Sequence, residues 1–479
     1  MTEKTYKTLV GLEIHAELAT ASKMFCGCTT TYGGDVNTHC CPICLGLPGT
    51  LPIVNKRAIE FAIQTGLAFN AKIARKSKMD RKNYFYPDLV KAFQISQYDM
   101  PLCENGHVDI ETASGKKRIG IQRIHIEEDT GKSLHAEDGS SLLDYNRCGV
   151  PLIEIVTHPD ISNAEEAGAF LERLKATLEY IEVSDCKMEQ GSLRCDVNVN
   201  VVSEDGTVKS NITEVKNLNS FKAAMKAIEF ETRRHIELLE KGENSLKETR
   251  RWDDAKNETF HMRSKEFVQD YRYFPEPDIV DFEIDADWIE RLELELPELP
   301  EARKARFASE YGIPEYDAGV LTATRQMADY FESLVSRVGD GKLASNWIMT
   351  ELMRRLKDEG LELDALRFTA EQFADLIAMV KDGTLNQNAA KKVFRRLFEE
   401  GGDPKAIVEA EGLVQLSDTG LIKETVESVL AANPQSIEDY KNGKDRAFGF
   451  LVGQVMKASK GKANPQVVNE LLAEALKNL

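Results

Sequence analysis

The sequence predicts a multidomain α+β protein, β-rich in front and helical behind, on three observations. The chain has 479 residues, more than a single core serves, so about two to four domains are expected. Apolar and polar residues alternate with a period of two in several segments before residue 294, the pattern of half-buried strands. After the run Leu296-Pro-Glu-Leu-Pro300 the periodicity becomes helical, and prolines so spaced mark a boundary. The expected divisions are 1–294 for the β-rich domain, 295–405 for a helical domain and 406–479 for a small helical tail. Gly401-Gly-Asp-Pro404 marks the second break.

Composition narrows the class. A hydrophobic content of 42% and a charged content of 29% suit a soluble globular protein. No apolar run is long enough to span a bilayer and no secretory h-region is evident, so a cytoplasmic location without membrane contact is expected. The formal charge of −18 argues against a general nucleic-acid coat, though a local basic patch can still hold RNA. Nine cysteines are present, five of them between Cys26 and Cys44. Such clustering suits metal binding in a reducing compartment better than disulfides.

In order, the first segment is a strand with Leu12, Ile14, Ala16 and Leu18 on one face and Glu13, His15 and Glu17 on the other. Cys26-Gly-Cys28 and Cys41-Pro-Ile-Cys44 follow. Two closely spaced thiolate pairs, one on a Pro/Gly-shaped turn, predict a tetrahedral Zn²⁺ site held by Cys26, Cys28, Cys41 and Cys44. Four thiolates leave no open coordination position, so this zinc is expected to be structural. Cys40 and His39 are alternatives to Cys41, but CxxC spacing favours Cys41. A helix is expected over Ile59 to Leu67. Arg81-Lys-Asn-Tyr-Phe-Tyr-Pro-Asp88 then mixes aromatic and basic groups, which suits either a core or a nucleotide or nucleic-acid end.

Arg123-Ile-His-Ile-Glu-Glu-Asp129 begins as an alternating strand and ends in three carboxylates. Like charges so close together need water or a cation. Thr130-Gly-Lys-Ser133 resembles the end of a P-loop, but that motif needs glycine where Ile126 stands. Alternation returns in Leu152 to Val156 with Glu154, in Leu193 to Asn200 with Arg194, Asp196, Asn198 and Asn200, and in Thr213 to Lys216 with Glu214. A sheet whose polar face gathers carboxylates and cations is a plausible Mg²⁺–phosphate site. Residues 221 to 241 read as a helix, and Asp270-Tyr-Arg-Tyr-Phe-Pro-Glu-Pro-Asp278 is again basic and aromatic. Further helices are expected over 301–311, 321–338, 344–356 and 370–380. Basic residues in the tail include Lys457, Lys460 and Lys462.

Nine segments taken together carry a resemblance: VGLEIHAEL, MFCGC…CCPICLGLPGTLP, RKNYFYPDL, IHIEEDTGKS, NRCGVPLIEIVTHPDI, GSLRCDVNVNV, TEVKNLNSF, DYRYFPEPD and NGKDRAFGFLVGQVMKASKGKANP. In this order, covering almost the whole chain, they resemble the B subunit of the aspartyl/glutamyl-tRNA(Asn/Gln) amidotransferase, the GatB family. Departures are small: Cys40 adds a thiol beside the knuckle, and LVKAF follows Asp88 where an LPK-type sequence is expected.

The resemblance implies a cradle-shaped catalytic domain, a helical domain and a tail similar to the YqeY family. It implies ATP-dependent phosphorylation of the side-chain carboxylate of misacylated Glu-tRNA(Gln) or Asp-tRNA(Asn), followed by displacement of phosphate by ammonia. By similarity Glu13, His15, Glu128 and Glu214 hold Mg²⁺ or its waters. Glu127, Glu154, Arg194, Asp196, Asn198 and Lys216 are neighbours on the cradle face, with Arg194, Asn198 and Lys216 directed at ATP. Since the chain shows no ammonia-producing nucleophile, two partners are implied, an amidase (glutaminase) A subunit with a small C subunit. The implied substrate is tRNA(Gln) or tRNA(Asn). The alternative is a non-catalytic, zinc-containing tRNA-binding protein of the same complex.

Overall fold

The computed structural model describes residues 5–136, 138–264, 270–413, 419–441, 444–459, 463 and 465–478. It divides into two compact units, Met1–Pro300 and Glu301–Leu479.

The first unit is built on strands, in chain order β1 Tyr6–Glu17, β2 Lys72–Ile73, β3 Lys76–Ser77, β4 Asp80–Asn83, β5 Phe93–Ser96, β6 Cys103–Thr112, β7 Gly115–Glu128, β8 Lys132–His135, β9 Ser141–Asp144, β10 Pro151–Thr157, β11 Leu193–Ser203, β12 Thr213–Lys216, β13 Glu248–Asp253, β14 Glu258–Ser264, β15 Phe274–Pro275 and β16 Phe282–Glu283. Nine of them form one mixed sheet, ordered β14-β13-β12-β11-β1-β10-β7-β6-β2. The β12–β13 pair is parallel, whereas the pairs from β11 through β7 are antiparallel. A three-stranded sheet, β15-β4-β5, is separate from it.

The alternation explains why β1 is central. Val10, Leu12, Ile14 and Ala16 are essentially fully buried and join Ile153, Ile155, Ile124, Ile126, Val197 and Val199 in one core. Each such side chain contributes roughly 1.5–3 kcal/mol on burial. Helices α1 (Lys56–Ala68), α2 (Ala164–Tyr180) and α3 (Phe221–Glu240) pack against the strands, with α2 on β6 and α3 on β11. The side chains of Asn55, Asn163 and Ser220 cap their N-termini. Because β1 lies between β10 and β11, the residues that alternate with its buried ones face those of both neighbours. Glu13 is level with Asp196 and Val156, and His15 with Arg194 and Glu154.

The second unit is helical. Helices from Pro300–Glu310 to Pro404–Ala410 enclose a core that includes Phe307, Phe331, Trp347, Phe373 and Phe394. Thr419–Ala432, Pro434–Lys441, Asp445–Ala458 and Pro465–Asn478 enclose a separate cluster around Val426, Leu451, Val455 and Leu472. Two expected helices differ in the structure. The helix expected over 321–338 begins only at Arg325, because the Thr324 side chain accepts from Met327 N–H at 3.2 Å and caps it, while Leu321 ends the preceding helix Glu315–Leu321. The span 344–356 passes through a π-helical segment at Ile348–Leu352. Lys460 and Lys462 lie outside the described residues. No helix among the described residues is long and apolar enough to cross a membrane.

Candidate active site and metal centres

The polar face of β1, β7, β10, β11 and β12 brings most of the expected residues together. Ligand atoms of Glu13, His15 and Glu154 lie within 4.8 Å of one another. His15 Nε2 is 3.4 Å from Glu154 Oε2 and 4.0 Å from Glu13 Oε1. Glu154 also faces β7, where His125 Nε2 lies 3.5 Å from its Oε2 and 3.2 Å from Glu127 Oε1. This second group, His125, Glu127 and Glu154, is buried. Glu13 and His15 keep side-chain exposures of 30% and 19%, so the cluster opens toward solvent on their side.

Charge balance is set by cations from elsewhere in the chain. Lys82 on β4 reaches across to Glu127, Nζ to Oε1 at 3.8 Å. At that separation the attraction is about 4 kcal/mol for an effective dielectric near 20, comparable to the several kcal/mol lost on burying each ion. The donors therefore decide the outcome: Ser96 Oγ and Gln94 Nε2 reach the Glu127 carboxylate at 2.6 and 3.0 Å. Burial opposes the Glu127 charge, but Lys82 and His125 outweigh it and hold its pKa well below the ordinary value. Burial also opposes charge on Glu154, which His125 and His15 nevertheless hold down to about 2 against the repulsion of Glu127. For Glu13, burial and then Glu154 push the pKa up, while His15 and Lys216 oppose them. Burial disfavours the His15 cation, yet the hydrogen bond and charge of Glu154 raise its pKa.

Two ion-pair groups flank the centre. Lys216 pairs with Asp196 and lies 3.2 Å from Glu214, whose other oxygen accepts from Thr249 Oγ1 at 2.8 Å. Arg194 binds Asp129 at 2.5 Å, and Arg147 approaches the same oxygen at 3.6 Å. Asn198 sits level with Gly11 and Glu214 on the same face. Among the described residues, buried polar atoms without a hydrogen-bond partner include three on this face: Glu17 Oε1, Arg194 Nε and His125 Nδ1. Such atoms are costly unless a ligand or water completes them.

Two of the four residues expected at Mg²⁺ are placed differently. Glu128 does not turn toward Glu13 and His15. β7 stays extended to its last residue, with Glu128 level with Pro151, so the side chain takes the opposite parity from Glu127. Its carboxylate pairs with Lys91 and accepts from Ile95 N–H at 3.0 Å. It lines a separate cavity with Lys23, Phe25, Cys44, Arg81 and Glu276. Glu214 is on the expected face but is occupied by Lys216 and Thr249 rather than grouped with Glu13 and His15. Glu154 takes the central position instead.

His125, Lys82 and Asp129 were not among the expected site residues. His125 had a usable signal, since it alternates with Ile124 and Ile126 on the face of Glu127. Lys82 had only the mixed basic and aromatic composition of residues 81–88, and its pairing with Glu127 was hidden because β4 is a four-residue strand of another sheet.

The cysteine module forms as its spacing suggests. Sulfurs of Cys26, Cys28, Cys41 and Cys44 lie within 4.8 Å of one another. Tetrahedral Zn–S bonds of about 2.3 Å require sulfur separations of about 3.8 Å, so the four suit a zinc ion. Cys41 N–H points at Cys44 Sγ at 3.2 Å. The buried Lys23 ammonium lies 3.7 Å from that sulfur and donates to His39 O at 2.7 Å. The Cys44 thiol is held down to about 4, first by the Cys26 thiol hydrogen bond against burial, then by the Cys41 N–H and Lys23. Cys40 is directed instead toward Asn146 Oδ1, 3.9 Å away.

Comparison with known proteins finds matches along almost the whole chain. Residues 8–290 match the GatB/GatE catalytic domain and residues 329–476 the GatB domain. The B subunit of the Caldicellulosiruptor bescii aspartyl/glutamyl-tRNA(Asn/Gln) amidotransferase is 57% identical over 478 residues, covering 99% of this chain and all of the relative. Proteins of the same name from Lachnoclostridium phytofermentans and Clostridium tetani are 54% and 52% identical, each over 99% of both chains.

Proposed function

The chain belongs to the family of aspartyl/glutamyl-tRNA(Asn/Gln) amidotransferase B subunits, and on that premise we propose that it activates and amidates the amino acid of a misacylated tRNA. The substrate is Glu-tRNA(Gln) or Asp-tRNA(Asn). A side-chain carboxylate oxygen attacks the γ-phosphorus of ATP, the bond to the ADP oxygen breaks, and an acyl phosphate forms. Ammonia then attacks the acyl carbon, inorganic phosphate leaves, and the nitrogen loses a proton to give Gln-tRNA(Gln) or Asn-tRNA(Asn). The ammonia comes from an amidase partner, the A subunit, in a complex completed by a small C subunit.

The observation that carries this reading is the Glu13–His15–Glu154 cluster, open on one side and ringed by Lys82, Arg194 and Lys216. Two anions must meet for phosphoryl transfer, so positioning and charge compensation are the main tasks. Mg²⁺ favours one or two carboxylates with water in the remaining positions, and the donor set of Glu13, His15 and Glu154 fits a divalent ion. A divalent ion held there would offset charge between carboxylate and triphosphate. Arg194, Asn198 and Lys216 face the same space and suit the phosphate oxygens, while Lys82 compensates the buried Glu127 behind the cluster. The buried polar wall keeps bulk water from the acyl phosphate. The cysteine-bound zinc holds the knuckle together and takes no part in the chemistry.

The reading is tested by reconstituting the complex with its A and C partners and following ATP-dependent conversion of Glu-tRNA(Gln). A complex that binds misacylated tRNA but releases no ADP would favour the non-catalytic tRNA-binding alternative.

A further inference from the structure

Next to the carboxylates lies a strip of aromatic rings that the phosphorylation chemistry does not use. Tyr84 meets Tyr271 edge to face at 6.0 Å, Tyr271 meets Tyr273 edge to face at 6.0 Å, and Tyr273 stacks on Tyr98 at 4.2 Å with an interplanar angle of 9°. Lys82 sits beside the strip, its ammonium 5.3 Å from the Tyr271 ring and 6.0 Å from that of Tyr84, while facing Glu127. Lys82 thus ties the strip to the buried Glu127, and the strip ends in Tyr98 on one side and Tyr84 on the other.

At the outer end the last ring is unfinished. One face of Tyr98 is covered by Tyr273, yet the residue remains 53% exposed. It is firmly held: its N–H donates to Asp80 Oδ2 at 3.0 Å, and Asp80 is buried and paired with Lys78 at 2.7 Å. At the other end Phe85 and Tyr86, the residues after Tyr84, are 86% and 61% exposed. Rings fixed from behind and open in front are the usual platform for unpaired bases, each stack contributing by a sequence-tolerant contact.

We infer that Tyr98 stacks the terminal base at the unpaired 3′ end of the substrate tRNA. This rests on the proposed amidation, in which the amino acid is esterified to the terminal ribose and its side chain must reach the carboxylate cluster. A base one sugar away from the reacting group has to sit near that cluster, and Tyr98 lies two residues beyond Ser96, whose hydroxyl donates to Glu127 at 2.6 Å. Several exposed rings favour a single strand with successive bases over the lone adenine of ATP.

The experiment measures binding of tRNA(Gln) to the assembled complex without ATP, so its result does not depend on catalysis. Tyr98→Ala should weaken binding about tenfold, Tyr98→Phe should bind like the parent, and Tyr98→Leu, apolar but without a π face, should resemble Tyr98→Ala. Removing the terminal adenosine from the tRNA should cost the parent about as much, and should cost Tyr98→Ala nothing further. KM for ATP should be unchanged in Tyr98→Ala. Unchanged tRNA binding, a loss confined to KM for ATP, or losses that multiply when both changes are combined would each overturn the inference. Failure of ADP release in the parent complex would instead count against the amidation reading and leave the binding result standing.

Discussion

His15 and Glu154 stand directly opposite one another across β1 and β10, with the imidazole Nε2 3.4 Å from a Glu154 oxygen. Burial alone would lower the histidine pKa, and Glu154 reverses the sign. In chelator-treated protein His15 should therefore titrate above the ordinary 6.5. Because the folded value is raised, the pair's contribution to stability is complete below pH 6.5 and is lost as pH rises through that raised value. Glu154→Gln should drop the His15 titration below its ordinary value, as read from imidazole proton resonances. A titration unmoved by the substitution would contradict the pairing.

Glu17 gives a second pH dependence with a distinct window. Burial, then the neighbouring Asp129, push its carboxyl up to about 8 from 4.5. A carboxyl with a raised folded value contributes most when protonated, so stability should fall as pH rises from about 4.5 to about 8. Glu17→Gln keeps the neutral form at every pH. It should raise the thermal midpoint at pH 9 and leave it almost unchanged at pH 4. An equal effect at both pH values would show that charge is not the cause.

The zinc should be structural and held by Cys26, Cys28, Cys41 and Cys44. Metal analysis should find one zinc per chain. Cys41→Ser should lose it, and Cys40→Ser should keep it, since Cys40 points to Asn146. The reverse pattern would reassign the ligands.

The tail should serve tRNA binding and not chemistry. Its core around Val426 and Leu451 is separate from the sheet, and Lys457 is exposed. Deleting residues from about 410 onward should weaken tRNA binding in the complex while glutaminase activity survives. Replacing Lys457, Lys460 and Lys462 with glutamine should flatten the salt dependence of binding by about one unit of slope for each phosphate no longer neutralised. An unchanged tRNA affinity in the deletion would refute this role.

What was legible in the sequence follows from the range of each physical signal. Alternation in β1, β10, β11 and β12 put Glu13, His15, Glu154, Arg194, Asp196, Asn198, Glu214 and Lys216 on one face, because a period of two is a local property of the strand. Local spacing likewise brought out the four cysteines. Glu128 lies apart from Glu13 and His15 because β7 keeps its parity to its last residue, a point that the Pro151 pairing and the Ile95 N–H decide and the sequence does not show. Lys82, Tyr98 and Tyr273 could not be joined from sequence, as β4 and the segment around Tyr273 meet through long-range pairing such as that of Phe274 with Arg81. The start of the helix at Thr324 was a local cap signal that the apolar residues just before it concealed.

We have proposed that the Glu13–His15–Glu154 cluster carries phosphoryl transfer. Its most direct test is ADP release coupled to Glu-tRNA(Gln) in the reconstituted complex, comparing the parent with Glu154→Gln across a Mg²⁺ titration. Loss of one charge from such a site costs on the order of a few kcal/mol of transition-state stabilisation, or ~10² to 10⁴ in rate. Glu154→Gln should show a fall of that size, with tRNA binding and glutaminase activity retained. Normal ADP release by Glu154→Gln at limiting Mg²⁺ would contradict it and leave the carboxylates as structural ion-pair partners.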